Sequence, residues 1–195
     1  MKKLLVAAFA LISISASAQK GSVLLYGNLT GRSSNDAGGT QSATIVVNPG
    51  VGYQFSDHFT AGINLSVDAD KTETTPSSDN YNKNLYLNFG PFLRYTKTLN
   101  NLFSAYAQLN LNYLSQKYTP YTGSSTKYAG FNGNITPALS LNVHKGFAIN
   151  FNLGGIEYTS VGLKGSSAKN NSFNVTFGNT IGLGIQKTFA CKKSK

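Results

Sequence analysis

From Phe173 to Phe189 the chain alternates, with Asn179 and Lys187 the two polar residues on its apolar face. Phe173, Val175, Phe177, Ile181, Leu183, Ile185 and Phe189 take odd positions, and Asn174, Thr176, Gly178, Thr180, Gly182, Gly184, Gln186 and Thr188 fall between them. A period of two is the signature of a β-strand whose faces meet different surroundings. A soluble strand would carry Lys, Glu and Asp on its wet face, whereas here Gly, Thr and Asn fill it. The pattern recurs in seven earlier segments, at about 22–32, 43–55, 59–68, 83–97, 102–116, 128–143 and 147–158. In one of them Phe59, Ala61, Ile63, Leu65 and Val67 alternate with Thr60, Gly62, Asn64 and Ser66. Another sets Leu85, Leu87, Phe89, Pro91, Leu93 and Tyr95 against Tyr86, Asn88, Gly90, Phe92 and Arg94. Several segments exceed the roughly 9–11 residues that a tilted strand needs to cross a bilayer.

The connections alternate as well. The short "SDH" (56–58), "TLNN" (98–101) and "HKG" (144–146) separate the long "SSNDAGGTQS", "ADKTETTPSSDNYN", "KYTPYTGSSTK" and "TSVGLKGSSAKNNS". The predicted fold is all-β: an eight-stranded antiparallel up-and-down transmembrane β-barrel. Tight turns form the periplasmic rim, with both termini, and four long loops lie outside. The Gly/Asn/Thr face is then the lumen and the apolar face meets lipid, where a midplane Arg or Lys costs about 2–4 kcal/mol. Tyr53, Phe55, Phe59, Tyr95, Phe103, Phe147 and Phe189 cluster near the short turns as a lower aromatic girdle, with Tyr113 and Phe173 marking a sparser upper one. The inward set includes Tyr26, Tyr86, Phe92, Arg94, Tyr106, Gln108 and Tyr128, bulky enough to plug a barrel whose interior side chains just fill.

Two irregularities are predicted. Pro49, Pro91 and Pro137 fall inside strands two, four and six, all outward by parity. Proline lacks the ladder N–H, so a bulge is expected at each, and the near-even spacing suggests a hairpin-based repeat. Gly154-Gly155 breaks parity, because Leu153 is outward yet Ile156 and Tyr158 follow on even positions, and a bulge near the outer rim would restore it.

Composition narrows the setting. "MKKLLVAAFALISISASAQ" has two lysines, an apolar run and Ala16-Ser17-Ala18, the pattern of a signal peptide over residues 1–18. The barrel then covers 19–189, and a short basic tail covers 190–195. No later apolar run is long enough for a membrane helix. Charged residues are 12% of the chain, against roughly 25% in ordinary soluble domains. Gly reaches 20 residues, with 11 Tyr and 12 Phe, a mix suited to an outer-membrane barrel. No Trp is present, and a lipocalin-like barrel would carry Gly-x-Trp near its first strand. Cys191 is the sole cysteine, so no internal disulfide forms.

Candidate chemistry changes little. His58 and His144 lie in or beside short turns, away from the long loops and without a nucleophile and carboxylate, so no catalytic residue is assigned. Asp68, Asp70, Glu73 and Asp79, with Lys71 and Lys83, are expected in the second long loop, at spacings that match no calcium loop, and no metal or cofactor is assigned. The net charge of +10 invites a nucleic-acid partner. On the predicted topology, however, the outer charges nearly balance, Glu157 among them, and the excess falls on the periplasmic rim without any nucleic-acid motif.

The hairpin "NPGVGYQFSDHFTAGINL" closes on Gly-Tyr-x-Phe, turns tightly and restarts, and the last strand reads "GNTIGLGIQKTF". On these features the chain resembles the OmpA/OmpX-type barrels, more closely the small outer membrane protein beta-barrel domain proteins often given a porin-family label. The resemblance covers essentially the whole mature chain. It implies outer-membrane lipids and lipopolysaccharide around the wall, a barrel assembly machinery that reads a terminal aromatic (matched by Phe189, although "ACKKSK" follows), and a monomer. An extracellular ligand is expected at the loops, in which members of the family differ, and, unlike in the longer members, no peptidoglycan-binding domain is expected after the barrel. The function expected is a non-enzymatic structural or surface-interaction role through four long loops. The alternatives are a narrow passive channel and, behind it, a lipid-modifying enzyme.

Overall fold

The computed structural model describes residues 21–36, 40–73 and 80–190. The expected signal peptide, Cys191 with the rest of the tail beyond Ala190, and the loop residues Pro76 and Asp79 lie outside that range. Eight antiparallel strands follow one another around a closed barrel. They are β1 Ser22–Asn35, β2 Gln41–Gln54, β3 Phe59–Glu73, β4 Tyr81–Thr98, β5 Phe103–Thr119, β6 Thr126–His144, β7 Phe147–Leu163 and β8 Asn170–Ala190. Every segment expected from the alternation is a strand. Most extend further toward the long connections, because period-two patterning continues there in polar residues: Asp68 and Asp70 still face in while Ala69 and Lys71 face out. The six residues Asp68, Asp70, Glu73, Lys71, Lys83 and Asp79 were expected together in a loop. Five of them instead sit on β3 and β4, and Asp79 lies outside the described residues.

The short turns have distinct chemistry. At 55–58 Ser56 Oγ accepts from the amides of Phe59 (3.0 Å) and His58 (3.4 Å), and at 99–102 Asn100 Oδ1 accepts from Phe103 (2.8 Å) and Leu102 (2.9 Å). The two turns are copies, each closed by a backbone amide donating to the carbonyl of Phe59 or Phe103. The third is tighter. Lys145 (φ 45°) and Gly146 (φ 76°) join β6 to β7 with positive φ at both central positions, the geometry that matches strand twist in a two-residue hairpin.

The wall is apolar outside and polar within. Ile63, Leu93, Leu109, Leu111, Ile135 and Leu139 are exposed outward, while Arg94, Gln108, Asn110, Asn112, Asn132, Ser140 and Asn150 are buried inside. The lower girdle includes a packed set: Phe55 and Phe59 stack at 6.2 Å, and Tyr95 lies 5.3 Å from Phe59. Tyr113 lies ten residues beyond Phe103 on β5 and Tyr158 eleven beyond Phe147 on β7; around them Phe89 meets Tyr113 at 5.6 Å, Phe131 pairs with Tyr113, and Tyr158 pairs with Phe173. Ten residues of a tilted strand rise roughly 25 Å, the height of an outer-membrane apolar band. The upper girdle is therefore fuller than expected. Phe189 departs from the lower one: its register partner Val23 also opposes Tyr53, but its ring is buried and Lys187 Nζ lies over it at 5.7 Å.

The prolines correct one expectation. Across β2–β3 the register is the same below and above Pro49, and across β4–β5 the same below and above Pro91, so two rungs are missing at each but no residue is inserted. A missing N–H can delete a rung without a bulge. Only at Pro137 does the register shift, between Ile135 and Ala138, and the extra residue is on β7. It coincides with the bulge between Asn152 and Gly154, where Gly154 has φ +93°. The parity break is therefore real, but it lies about halfway up β7 rather than near the rim.

Candidate functional site

All seven residues expected to fill the lumen point inward, but they divide by height. Tyr26, Phe92, Arg94, Tyr106 and Gln108 form one layer toward the short-turn end, while Tyr86, opposite Asp68, and Tyr128, opposite Gln116, lie toward the long-loop end. Space for the lower layer is made by glycines. A Cβ on Gly50 would meet the Tyr26 ring, and one on Gly52 would meet Phe92 Cζ at 2.6 Å. Tyr26 and Phe92 then pack edge to face at 5.3 Å.

Arg94 is the centre of that layer, only 2% exposed. Its Nε donates to Gln108 Oε1 (2.7 Å) and its Nη1 to Gln186 Oε1 (2.9 Å). The rings of Tyr106 (4.1 Å) and Tyr26 (4.5 Å) flank the guanidinium. Among the described residues no carboxylate comes within ion-pair distance of it. Neutral acceptors and π faces hold this charge, which would be costly to bury unpaired.

Above Arg94 the lumen is a cavity of about 540 Å³ lined mainly by asparagines, among them Asn28, Asn48, Asn64, Asn88, Asn110, Asn112, Asn132, Asn134, Asn150 and Asn152. Their amides form a directed chain. Gln108 Nε2 donates to Tyr26 Oη (2.8 Å) and Asn110 Oδ1 (2.7 Å), Asn110 to Asn134 (2.7 Å), and Asn134 to Asn132 (3.0 Å). Asn132 then donates to Thr159 (2.9 Å), whose hydroxyl reaches Glu157 Oε1 at 3.4 Å. The chain runs from a cation to a carboxylate with every donor oriented the same way, an arrangement in which each bond polarises the next. Glu157 was grouped with the outer charges; after the Gly154 bulge its side chain turns inward and lines this cavity. Asn48, Asn88 and Asn112 add amide oxygens without a protein donor. The amide chain was not singled out from the sequence, although its asparagines stand at inward positions of "QLNLN" and "NGN".

Both histidines are at the short-turn end. His58 Nδ1 faces the Thr96 carbonyl at 3.2 Å and its ring lies 5.7 Å from Tyr95, while His144 ends β6 in an exposed position. Among the described residues neither imidazole ring is hydrogen-bonded to a serine or a carboxylate.

The outer membrane protein beta-barrel domain family matches the chain over residues 4–180. No curated protein matches it. Among solved structures it is similar to Neisserial surface protein A (NspA), with a TM-score of 0.47 and 12% identity over 86% of this chain and 97% of that one. It is also similar to Ail, the attachment invasion locus protein of Yersinia pestis, with a TM-score of 0.42 and 17% identity over 88% of this chain and 100% of that one.

Proposed function

Because the chain belongs to the outer membrane protein beta-barrel domain family, we propose that this outer-membrane β-barrel protein is a non-enzymatic surface-interaction protein whose lumen does not conduct solute. One observation carries the reading. Strands β4, β6 and β8 have 18, 19 and 21 residues, about twice what is needed to cross the bilayer. The surplus lies at the long-loop end as a β-crown with exposed lysines and tyrosines, Lys71 Nζ sitting 3.5 Å from the Tyr81 ring centroid. Ordered projecting hairpins offer a partner a rigid surface at little entropic cost. The filled layer around Arg94 argues against the channel reading, and the non-enzymatic reading is consistent with the described long-loop residues, among which no nucleophile has a convergent base.

The test compares the purified protein with a variant whose 120–125 and 164–169 connections are replaced by short turns. Envelope and host-surface ligands should bind the parent and lose binding in the variant, with neither protein conducting in planar bilayers. Binding that survives loop replacement would defeat the surface reading, and conversion of phospholipid or lipid A by purified protein would defeat the non-enzymatic one.

A further inference from the structure

The barrel closes along only part of its height. β1 and β8 pair from Ser22↔Ala190 to Gly27↔Ile185, six rungs at the short-turn end. Above Gly27 neither Asn28, Leu29 nor Thr30 pairs with the Gly184, Leu183 or Gly182 that the same register would place opposite, whereas on its other edge β1 pairs with β2 up to Asn35. Leu29 is 73% exposed, and a Cβ on Gly31 would meet nothing within 4 Å. Asn28 and Gly184 still touch, since a Cβ on Gly184 would lie 3.7 Å from Asn28 Cβ, so the seam parts above them, between Leu29 and Leu183, at the depth of the apolar band.

Two cavities meet at this seam. Outside it is a largely apolar groove of about 350 Å³, walled by Leu25, Leu29, Val47, Pro49, Phe147 and Ile185, with Lys187 at its lower end, its Nζ donating to the Lys145 carbonyl at 2.7 Å. Inside is the asparagine-lined cavity. Tyr26, Gly27, Asn28 and Pro49 border both. Arg94 stands at the foot of the opening, bonded to Gln186 and stacked on Tyr26, the rung just below the last one closed. Of the five guanidinium N–H groups, two donate to protein acceptors, and the residue lines the cavity.

An apolar groove leading through a slot to a buried cation that lacks a carboxylate is complementary to one kind of molecule. We propose that the β1–β8 seam is a binding site for a single-chain anionic amphiphile of the fatty-acid class, its tail in the outer groove and its carboxylate on Arg94. A carboxylate matches the guanidinium fork, and the surrounding amides can hydrate the rest of the head. A diacyl lipid brings a second chain for which one narrow groove has no room, and a short anion leaves the groove unfilled. The unpaired strand edge gives an independent reason for an occupant, because free backbone groups facing hydrocarbon are costly.

Radiolabelled palmitate titrated into the protein in an uncharged detergent should bind saturably, one per chain. Hexadecanol and acetate should bind at least about tenfold more weakly, the loss expected when one charge-assisted contact or the buried tail is missing. Arg94→Gln should weaken palmitate by a similar factor. A second variant seals the seam: Leu29→Cys with Leu183→Cys, in a Cys191→Ser background, places cysteines opposite each other in the continued register. Oxidation should abolish binding and reduction restore it, a comparison that stands if Arg94→Gln does not fold. Absence of saturable palmitate binding, equal binding of acetate, tighter binding of phosphatidylglycerol, or binding unchanged by the oxidised lock would each overturn the proposal.

Discussion

Replacing Arg94 by alanine removes the centre of the lumen layer, and the structure allows the consequences to be sized. Two charge-assisted hydrogen bonds are lost, at 2.7 and 2.9 Å, leaving Gln108 Oε1 and Gln186 Oε1 without that donor. Such bonds contribute roughly 1.5–3 kcal/mol each, and two flanking tyrosine rings add about 1 kcal/mol of cation–π attraction. Relief of the buried guanidinium's desolvation opposes these losses, and the polar cavity above lets water reach the freed carbonyls. The balance is a destabilisation of about 2–4 kcal/mol, large for one substitution. Urea unfolding of the barrel in detergent, followed by tyrosine fluorescence and by the mobility difference of folded barrel on unboiled gels, measures it. Planar-bilayer recording supplies the second readout, with a closed parent and brief openings in the variant. A midpoint shift below about 0.5 kcal/mol would refute the assignment of Arg94 as the organising group, and large stable steps from the parent would refute the plug itself.

Crowding between β2 and β3 gives a second test: a Cβ at Gly62 would meet the Val51 carbonyl oxygen, Gly52 Cα at 2.5 Å and Phe92 Cε1 at 2.7 Å, so Gly62→Ala should cost about 1–3 kcal/mol in urea unfolding. Gly31→Ala, which meets nothing within 4 Å, should stay within about 0.5 kcal/mol of the parent. In the β6–β7 turn, Gly146→Val should destabilise by at least about 1 kcal/mol and Lys145→Asn should be neutral or better, because both positions have positive φ. For orientation, cysteines introduced at Thr122 and Ser166 in a Cys191→Ser background should react with an impermeant maleimide on intact cells and one at Asp57 should not. The reverse pattern would invert the barrel.

The strands were legible because each has one face in lipid and one in the lumen, and that contrast is written residue by residue in "FTAGINLSV" and "LYLNFGPFLRY". Their outer ends were less so. Beyond the apolar band both faces are wet, so the alternation that continues through Asp68 and Asp70 has no apolar partner set and reads as loop. The lumen fill around Arg94 followed from parity alone. The amide chain from Arg94 to Glu157 did not, since it depends on which asparagines become neighbours around the ring, and on a bulge at Gly154 that turns Glu157 inward. The open seam was hidden for a similar reason: β1 and β8 are the strands furthest apart in sequence, and nothing in either alone states how many rungs join them.

The prolines tie these features together. Pro49, Pro91 and Pro137 each pair normally with the preceding strand, at Gly27, Ile63 and Ala107, and turn the edge without an N–H toward the next one. Each interrupts the ladder five to seven residues before its strand ends, so the weakened rungs stand at a similar depth around the wall. At that depth the preceding inward residues are Asn48, Gly90 and Thr136; Asn48 and Thr136 line the cavity, and a Cβ on Gly90 would strike the Leu111 carbonyl oxygen. A carbonyl deprived of its proline partner in the hydrocarbon region must find a donor on the lumen side, and an amide-lined interior supplies donors there. The polar cavity thus makes the proline ring tolerable in a closed wall. The same depth holds the last closed rung, Gly27↔Ile185, with Pro49 opposite Gly27 on β1's other edge. There Gly27 makes β1's last rung to β8, beside a β2 residue whose own rung to β3 is missing, and a glycine with no side chain to pack is where a strand parts from its partner most easily.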